Sequence, residues 1–539
     1  MSGKGHVLKR LFCTAGAAAV MISACAVNAV NAGAAESYDP YSYDQWGDAV
    51  SSQAGYTASE FIDGQKIKGL YEHVEAMNGF DYDEEEWKNL LNMKEPADMF
   101  ISGDNLLYIA DKANNRILVT DLDFNLVNYL DTFYYNGKTL KLKNPEGVFV
   151  DKYTGYIYIC DSEGGGELND EGEIVNNAIG RVIKCDTRGT VDRLFEKPVT
   201  ELYDQNLTYN PRKVAVDKAG NVYIVVRSVT RGAVMFDIAG EFIGFYGANR
   251  VEATSEIIMN AFWNTISTQA QRDRMTKTTP VGFTNFDLDD DGFIYTVTES
   301  ADVKTDVVKK LNPRGANILS SALGDDTFFG DIPPAYYSIY TKTSALTDID
   351  IGPNGEMNIL DFAHGRVFQY DKMANLMFVL GGDGDQLGTF RSVSAIESYD
   401  NKLFVLDSRK NGITVFERTA FGDIVTEATN LYNAGYYEES FQPWQTVIKF
   451  DGNYRRAYVG VGNALLSAEQ YKEAMEYFKI SQSRRRYNRA FEGYRDQILQ
   501  KWFTPAIILI IVIVVAVKVI GSLNKKGIIT FPWQRKGGV

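Results

Sequence analysis

The chain has 539 residues, enough for more than one domain, and 45% of them are hydrophobic, as in an ordinary globular protein. Aromatic residues reach 13%, which favours strand-rich structure. The formal net charge of −15 argues against a nucleic-acid partner, because it leaves no basic face to neutralise phosphates.

Residues 1–35 have the pattern of a secretory signal peptide. Basic residues at positions 4, 9 and 10 precede an apolar run, and the small residues of "AVNAVNAGAAES" follow it. We expect cleavage after Ala29, Ala32 or Ala35. The alternative is lipoprotein processing at Cys25, because "ISAC" resembles a lipobox. Cleavage would leave Cys160 and Cys185, which the repeat alignment places out of register on neighbouring strands, so we expect two free thiols.

Six similar units recur between residues 96 and 420. Their second strands are "LLYIAD", "YIYICD", "NVYIVV", "FIYTVT", "EMNILD" and "KLFVLD", with spacings of about 46 to 72 residues between strand centres. Such spacing fits one four-stranded blade per unit, so we predict a mainly β fold, a six-bladed β-propeller. The sixth unit supplies three strands. We therefore expect the N-terminal arm, residues 36–95, to close the ring with "YTASEFIDG" (56–64).

Within these units, "DKANNRILVTD" (111–121) and "DFAHGRVFQYD" (361–371) resemble the NHL repeat, in which an Asp, a turn residue and an Arg recur between the second and third strands. "DSRKNGITVF" (407–416) is a partial match. The resemblance covers roughly residues 96–418, and the third and fourth units depart from the pattern. It implies a propeller of the NHL type.

The stretch "FDLDDDGFIY" (286–295) resembles the start of an EF-hand calcium loop. It occupies the same position in its unit as "VAVDKAGNVY" (214–223), where Asp-x-x-Gly is typical of a hairpin turn. An EF-hand also needs Glu at its twelfth position, which is Thr298 here. The match to residues 214–223 and the missing Glu therefore favour a hairpin turn over a calcium site.

Two insertions interrupt the units. "SEGGGELNDEGEIVNNAIG" (162–180) is Gly-rich and acidic, and we expect a rim loop. "EIIMNAFWNTISTQAQRDRM" (256–275) has the pattern of an amphipathic helix, which either packs over one face of the ring or serves as a lid or partner contact.

The innermost strands of a propeller surround its axis, so their first residues are candidates for ligand binding. The alignment predicts that seven side chains reach the axial mouth: Asp98, Glu146, Arg212, Lys213, Asn285, Asp348 and Arg391. Mixed acidic, basic and amide groups suit recognition of a polar ligand such as a sugar or peptide. We expect no catalytic residues and no cofactor, since no catalytic motif is present.

An enzymatic alternative comes from a resemblance to senescence-marker-type lactonases. It implies an axial divalent metal, calcium in this hypothesis, held by Glu, Asn and Asp, and Glu146, Asn285 and Asp348 supply those residue types. Such a metal would polarise a lactone carbonyl. Arg212, Lys213 and Arg391 argue against it, because cations at the same mouth would repel a metal ion.

Residues 421–500 change to a helical pattern. Two segments align at a separation of about 34 residues, the tetratricopeptide period, with small residues where helices would cross. A further helix at about 486–500 leads into an apolar span, residues 501–523, long enough to cross a bilayer. Residues 524–539 form a basic tail, which the signal peptide assigns to the cytoplasm.

Together these features predict a single-pass plasma-membrane protein whose large N-terminal part lies outside the cytoplasm. We expect a non-enzymatic binding or scaffold module with a protein partner in a bacterial envelope, possible carbohydrate or peptide ligands and no nucleic acid. The combination is similar to envelope proteins that accompany carbohydrate importers. The alternative is the metal-dependent lactonase.

Overall fold

The computed structural model describes residues 37–44, 46–77, 87, 89–165, 179–247, 282–299, 307–319, 329–331, 344–526 and 528–529. The predicted signal peptide, most of the acidic insertion, the predicted helix at 256–275 and the end of the basic tail lie outside these residues. The described part of the N-terminal arm includes a small hairpin, β1 (Tyr41–Tyr43) and β2 (Ala49–Ser51), a longer strand, β3 (Tyr56–Asp63), and a helix, α1 (Leu70–Met77).

The fold is a six-bladed β-propeller followed by C-terminal helices, as predicted. Blade one comprises β4 (Asp98–Ile101), β5 (Leu106–Asp111), β6 (Arg116–Asp121) and β7 (Leu126–Leu130). A hairpin, β8 (Thr132–Tyr135) and β9 (Lys138–Lys141), leads to blade two: β10 (Pro145–Val150), β11 (Ile157–Gly165), β12 (Ile179–Cys185) and β13 (Val191–Phe195). Blade three comprises β14 (Pro211–Val216), β15 (Val222–Val226), β16 (Ala233–Phe236) and β17 (Phe242–Tyr246).

The second half of the ring follows the same order of strands. The described part of blade four contains β18 (Asn285–Leu288), β19 (Ile294–Val297) and β20 (Val308–Leu311). Blade five comprises β21 (Leu346–Ile351), β22 (Met357–Asp361), β23 (Arg366–Tyr370) and β24 (Leu376–Gly381). Blade six comprises β25 (Val393–Tyr399), β26 (Lys402–Asp407) and β27 (Gly412–Arg418), completed by β3.

The N-terminal arm closes the ring. Strand β3 pairs antiparallel with β27, from Tyr56 opposite Arg418 to Asp63 opposite Gly412. This pairing satisfies the backbone groups of what would otherwise be an open sheet edge. The prediction that residues 56–64 supply the missing outer strand is confirmed.

The repeated Asp of the second strand joins parts of its own blade. In blade one, Asp111 is fully buried and accepts hydrogen bonds from the Lys94 amide at 2.7 Å, from Asn114 Nδ2 at 2.8 Å and from Arg116 Nε at 2.7 Å. The aspartate thus joins the segment before β4 to the turn between β5 and β6. A buried charge is costly unless it is paired and hydrogen-bonded. The buried Asp111 therefore needs Asn114 and Arg116 as partners. This requirement explains the repeated motif without a ligand.

The acidic stretch at 286–295 is a hairpin turn, as the repeat alignment predicted. The Phe293 amide donates to Asp289 Oδ1 at 2.8 Å, and the Gly292 amide donates to the Asp289 carbonyl at 2.9 Å. Gly292 has a φ of 86°, in the left-handed region that glycine adopts without strain. Lys310 pairs with the second carboxylate oxygen of Asp289 at 3.0 Å.

Cys160 and Cys185 are free thiols, as predicted, and both are buried. They lie on adjacent strands but not opposite each other: Cys160 faces Val182, and Cys185 faces Ile157. This offset of three positions keeps the two sulfur atoms apart.

The C-terminal helices are α2 (Ala420–Asn433), α3 (Tyr437–Phe450), α4 (Arg455–Ser467), α5 (Tyr471–Ile480) and α6 (Arg484–Lys525). Trp444 and Phe478 belong to one core cluster with Phe378 of the propeller, so the helices and the ring share a hydrophobic core. The small residues of the repeat allow close crossing, because a Cβ atom at Gly460 would overlap the indole of Trp444.

Helix α6 is one continuous helix of 42 residues, about 63 Å long at 1.5 Å per residue. The helix expected at about 486–500 and the apolar span expected at 501–523 are both parts of this helix. Pro505 lies inside α6, where it removes one backbone hydrogen bond without ending the helix. Among the described residues, α6 is the one helix long and apolar enough to cross a membrane.

Candidate functional site

The first strands of the six blades, β4, β10, β14, β18, β21 and β25, surround the propeller axis. Two cavities lie at opposite ends of these strands. The entrance cavity, about 370 Å³, is at their N-terminal ends, next to Glu146, Arg212 and Thr347. The exit cavity, about 310 Å³, is at their C-terminal ends, next to Asp287, Asp350 and Glu397.

Glu146 and Arg212 line the entrance cavity. The Glu146 carboxylate pairs with Lys112 at 2.9 Å and with Arg227 at 3.2 Å. By contrast, the guanidinium groups of Arg212 and Arg409, which line the same cavity, have no polar partner in the part of the chain that the structure describes. The charged residues of the lining are Glu95, Lys112, Glu146, Arg212, Arg227 and Arg409, four cations against two carboxylates. The entrance is therefore positive on a chain of net charge −15.

Asp98, Lys213, Asn285 and Asp348 lie deeper, between the two cavities. Lys213 Nζ donates to Asp98 Oδ1 at 2.7 Å, and both side chains are buried. The second oxygen of Asp98 accepts from the Val148 amide of blade two at 2.9 Å. Asp348 accepts from Asn285 Nδ2 of blade four. These buried groups therefore join blade one to blades two and three, and blade four to blade five.

Three acidic residues that the sequence alignment missed line the exit cavity: Asp287, Asp350 and Glu397. Asp287 accepts from the Ile351 amide at 2.8 Å, and Glu397 accepts from the Ile101 amide at 3.0 Å. Each bond runs from one blade to the first strand of the next. The available signal was the two-residue period of a strand, because Asp287 follows Asn285 and Asp350 follows Asp348 on the same face.

Burial raises the pKa of Asp287, Asp348 and Glu397. Burial is the largest cause for Asp348, whose pKa rises to about 7 although Lys213 opposes the rise. Burial and then the Asp350 charge raise the pKa of Asp287, and burial raises the pKa of Glu397 well above its ordinary value. Burial alone would lower the pKa of Lys213, but Asp98, Asp348 and Glu397 together raise it. The axis therefore holds a charged lysine near Asp348 and Glu397, two carboxyl groups whose pKa burial raises.

Arg391, the seventh predicted residue, is not among the residues that line either axial cavity. Its guanidinium is exposed and pairs with Asp385, with Nε 2.6 Å from Oδ1. The Arg391 amide donates to Asp407 instead, in the blade-internal arrangement described for Asp111. Its position in the repeat predicted that Arg391 would reach the axis, but its side chain extends toward the loop before β25.

The residues proposed for a lactonase metal, Glu146, Asn285 and Asp348, do not fit one. Asn285 directs its Nδ2 donor, not its oxygen, at Asp348. Glu146 stays at the entrance, where Lys112 and Arg227 already neutralise it. The Lys213 ammonium group pairs with Asp98 and is close enough to Asp348 for that carboxylate to raise the lysine pKa. Three convergent oxygen ligands are not formed, and a cation there would meet a buried lysine.

A separate group of potential metal ligands, Asp331, Asp361 and His364, lies at the rim of blade five. Asp331 already pairs with Arg366 and accepts from the hydroxyl groups of Tyr41 and Tyr43. Asp361 accepts from the Ala345 amide at 2.8 Å and lies 2.8 Å from His364 Nδ1. Because Arg366 supplies the positive charge, these contacts account for the group without a metal ion.

No protein-family model matches the chain, and no curated protein matches it. Solved structures with partial similarity include the Malassezia sympodialis allergen Mala s 1, with 9% identity, 67% of this chain and 96% of that chain covered, and a TM-score of 0.38. Virginiamycin B lyase from Staphylococcus aureus gives 9% identity, 60% and 95% coverage and a TM-score of 0.35. The extracellular domain of a putative one-component system from B. thetaiotaomicron has 11% identity and a TM-score of 0.34. The match covers 71% of this chain and 38% of that chain. At these values the similarities say nothing about function.

Proposed function

We propose that this chain is a membrane-anchored extracytoplasmic binding protein, which presents its propeller to a protein or carbohydrate partner in an envelope complex such as a sugar importer. A cleaved signal peptide and a short cytoplasmic tail belong to the same proposal. Binding without chemical conversion belongs to the same proposal. The axial groups that suggested a metal-dependent lactonase do not converge on a metal, which counts against that alternative.

The observation that carries this proposal is the continuous connection from the ring to the apolar span. Thr419, directly after β27, caps α2 by accepting from the Gly422 amide at 3.0 Å. Tyr454, before α4, donates to the Met377 carbonyl of blade five at 3.1 Å. Helix α6 then packs on α5 through the buried Ala490 and continues into the span. These contacts connect the ring to the apolar span through packed helices, which supports a membrane-anchored propeller.

The entrance cavity supports recognition rather than catalysis. Arg212 and Arg409 are cations without partners among the described residues, and guanidinium groups bind carboxylates and similar acceptors through paired hydrogen bonds. A partner with a negatively charged or oxygen-rich group, such as an acidic peptide segment or an acidic sugar, matches this surface.

Topology is the first test. Cys160 and Cys185 are buried, so a cysteine introduced at the exposed Thr139 is the expected site of reaction with a membrane-impermeant maleimide. We expect Thr139→Cys to be labelled in intact cells and Lys526→Cys only after the membrane is permeabilised. Labelling of the unsubstituted protein reports on Cys13 and Cys25, which signal cleavage removes. The reverse pattern for the two variants refutes the proposal.

Partner binding is the second test. The tagged full-length protein is purified in mild detergent from its native membranes, and the co-purifying proteins are identified by mass spectrometry. We expect transporter or other envelope subunits to be recovered, and to be lost from an Arg212→Glu, Arg409→Glu double variant. An exposed Lys138→Glu variant is the matched control and keeps them. Recovery of the protein alone, or equal recovery with all variants, contradicts the proposal.

A further inference from the structure

A third cavity, the junction cleft, lies where blade five, the N-terminal arm and the C-terminal helices meet. Its volume is about 450 Å³, within the range of roughly 300 to 1,000 Å³ that is common for small-molecule sites. The walls combine aromatic rings with arginine side chains: Tyr43, Tyr370, Tyr432, Trp444, Arg455, Arg456 and Arg486. It is separate from both cavities on the propeller axis.

Two donors of this lining are buried without a partner. Trp444 is 0% exposed, yet its Nε1 has no hydrogen-bonding partner in the described part of the chain, and the same is true of Arg456 Nη1. The other terminal nitrogen of Arg456, Nη2, pairs with Asp371. Buried donors in native structures are usually satisfied by a protein group, a water molecule or a ligand. Two unpaired donors among the lining residues are therefore compatible with an acceptor in this cleft, and the arginine side chains add positive charge.

The N-termini of two helices open onto the same cleft. Arg455 and Arg456 are the first residues of α4, and Ser483 and Arg486 flank the start of α6. Neither helix has a side-chain cap or an acidic residue in its first turn. The first amide groups of a helix lack partners within the helix and carry a partial positive charge, so they favour an anion.

The arginines are only partly neutralised. Burial and then the Arg486 charge lower the pKa of Arg455, with Asp44 opposing. Asp44 also lines the cleft, and its Oδ1 accepts from the Trp46 and Asp48 amides. Asp371 is occupied by Arg456. Arg455 Nε donates to the Ser481 carbonyl at 2.8 Å, and Arg486 Nη1 donates to Ser483 Oγ at 3.1 Å. The lining therefore holds three guanidinium groups and one carboxylate, that of Asp44.

We propose that the junction cleft binds a small organic oxyanion, a carboxylate or a phosphate ester, whose charged group meets Arg456 and Arg486 while its body contacts the aromatic wall. A lipid headgroup does not match, because Arg486 lies 16 residues before Trp502 in α6, about 24 Å along the helix axis. The proposal stands independently of the partner at the entrance cavity, since no residue is shared.

Isothermal titration calorimetry on the full-length protein in detergent tests this site. The probes are inorganic phosphate, glucose 1-phosphate and galacturonate, with galactose as the neutral control. We expect the anions to bind and galactose not to bind. Comparing the phosphate compounds with galacturonate identifies which oxyanion the cleft prefers. Absence of binding by all three anions, or equal binding of galactose, overturns the proposal.

Variants locate the binding. Arg486→Gln removes one cation and should weaken binding at least about tenfold, whereas Arg485→Gln, exposed on the same helix and outside the lining, should leave it unchanged. Trp444→Phe keeps most of the ring and removes the buried N–H, so we expect about threefold to tenfold weaker binding with an unchanged fold. Equal effects of the two arginine variants, or full affinity of Trp444→Phe, refute the assignment to this cleft.

Discussion

Replacing Lys213 by methionine tests the role of the buried cation in the propeller axis. Lys213 is 6% exposed, and its Nζ lies 2.7 Å from Asp98 Oδ1. Methionine retains much of the side-chain volume but leaves Asp98 without its partner and Asp348 without a nearby positive charge. Removing one member of a buried ion pair costs about 3–5 kcal/mol, and we expect a loss of that size in the free energy of unfolding.

Two comparisons separate this effect from a general loss of packing. Adding Asp98→Asn to Lys213→Met removes the uncompensated charge, while the amide oxygen can still accept from the Val148 amide, so part of the loss should be recovered. Lys402→Met removes a cation 3.6 Å from the exposed Glu417 and should cost less than about 1 kcal/mol.

The measurement is urea unfolding of the full-length protein in detergent, followed by near-ultraviolet circular dichroism of the many tyrosines. The cost of Lys213→Met should be smaller at about pH 5 than at about pH 8, because the remaining carboxyl groups can bind protons instead. A cost below about 1 kcal/mol that is the same at both pH values would show that Lys213 does not neutralise the axial carboxylates.

Three further outcomes are expected. The raised pKa of buried Glu397 means that the folded state binds more protons than the unfolded state above about pH 4, so the contribution of Glu397 to stability falls as pH rises. In urea unfolding, Glu397→Gln should therefore reduce the decrease of the midpoint with pH. The exposed control Glu417→Gln should leave that decrease unchanged. Gly460→Ala should destabilise the helical layer by about 1–3 kcal/mol, because the new methyl group overlaps Trp444; a gain in thermal stability would contradict that packing. Arg116→Met leaves a buried aspartate unpaired and should cost about 3–5 kcal/mol in urea unfolding, and a change below 1 kcal/mol would mean that blade one does not need this pair.

The features that the sequence predicted depend on short segments. The turn at Asp289 and Gly292 follows from local chemistry, because a hairpin needs a residue with positive φ and a side chain that accepts from the backbone. The repeat itself predicted six blades, and the shortage of one strand in the sixth unit predicted that residues 56–64 would close the ring. The register of Cys160 and Cys185 also followed from aligning neighbouring strands.

The candidate sites depended on more distant relations. Arg391 was assigned to the axis from its position in the repeat, but its side chain pairs with Asp385. The alignment could not predict whether the side chain would extend toward Asp385 or toward the axis. Asp287 and Asp350 could have been found from the two-residue period of their strands, whereas Glu397 meets them only in the assembled ring.

By itself, the sequence determined the elements of this protein: the strands, their turns, the closing strand and the apolar span are each specified by residues close together in the chain. Only the tertiary structure decided which charges meet. Lys213 joins Asp98 across 115 positions, and Trp444 and Arg456 reach one cleft with Tyr43. The physical reason is that backbone patterns have fixed local periods, whereas the pairing of buried charges depends on the distances that chain closure and helix packing create.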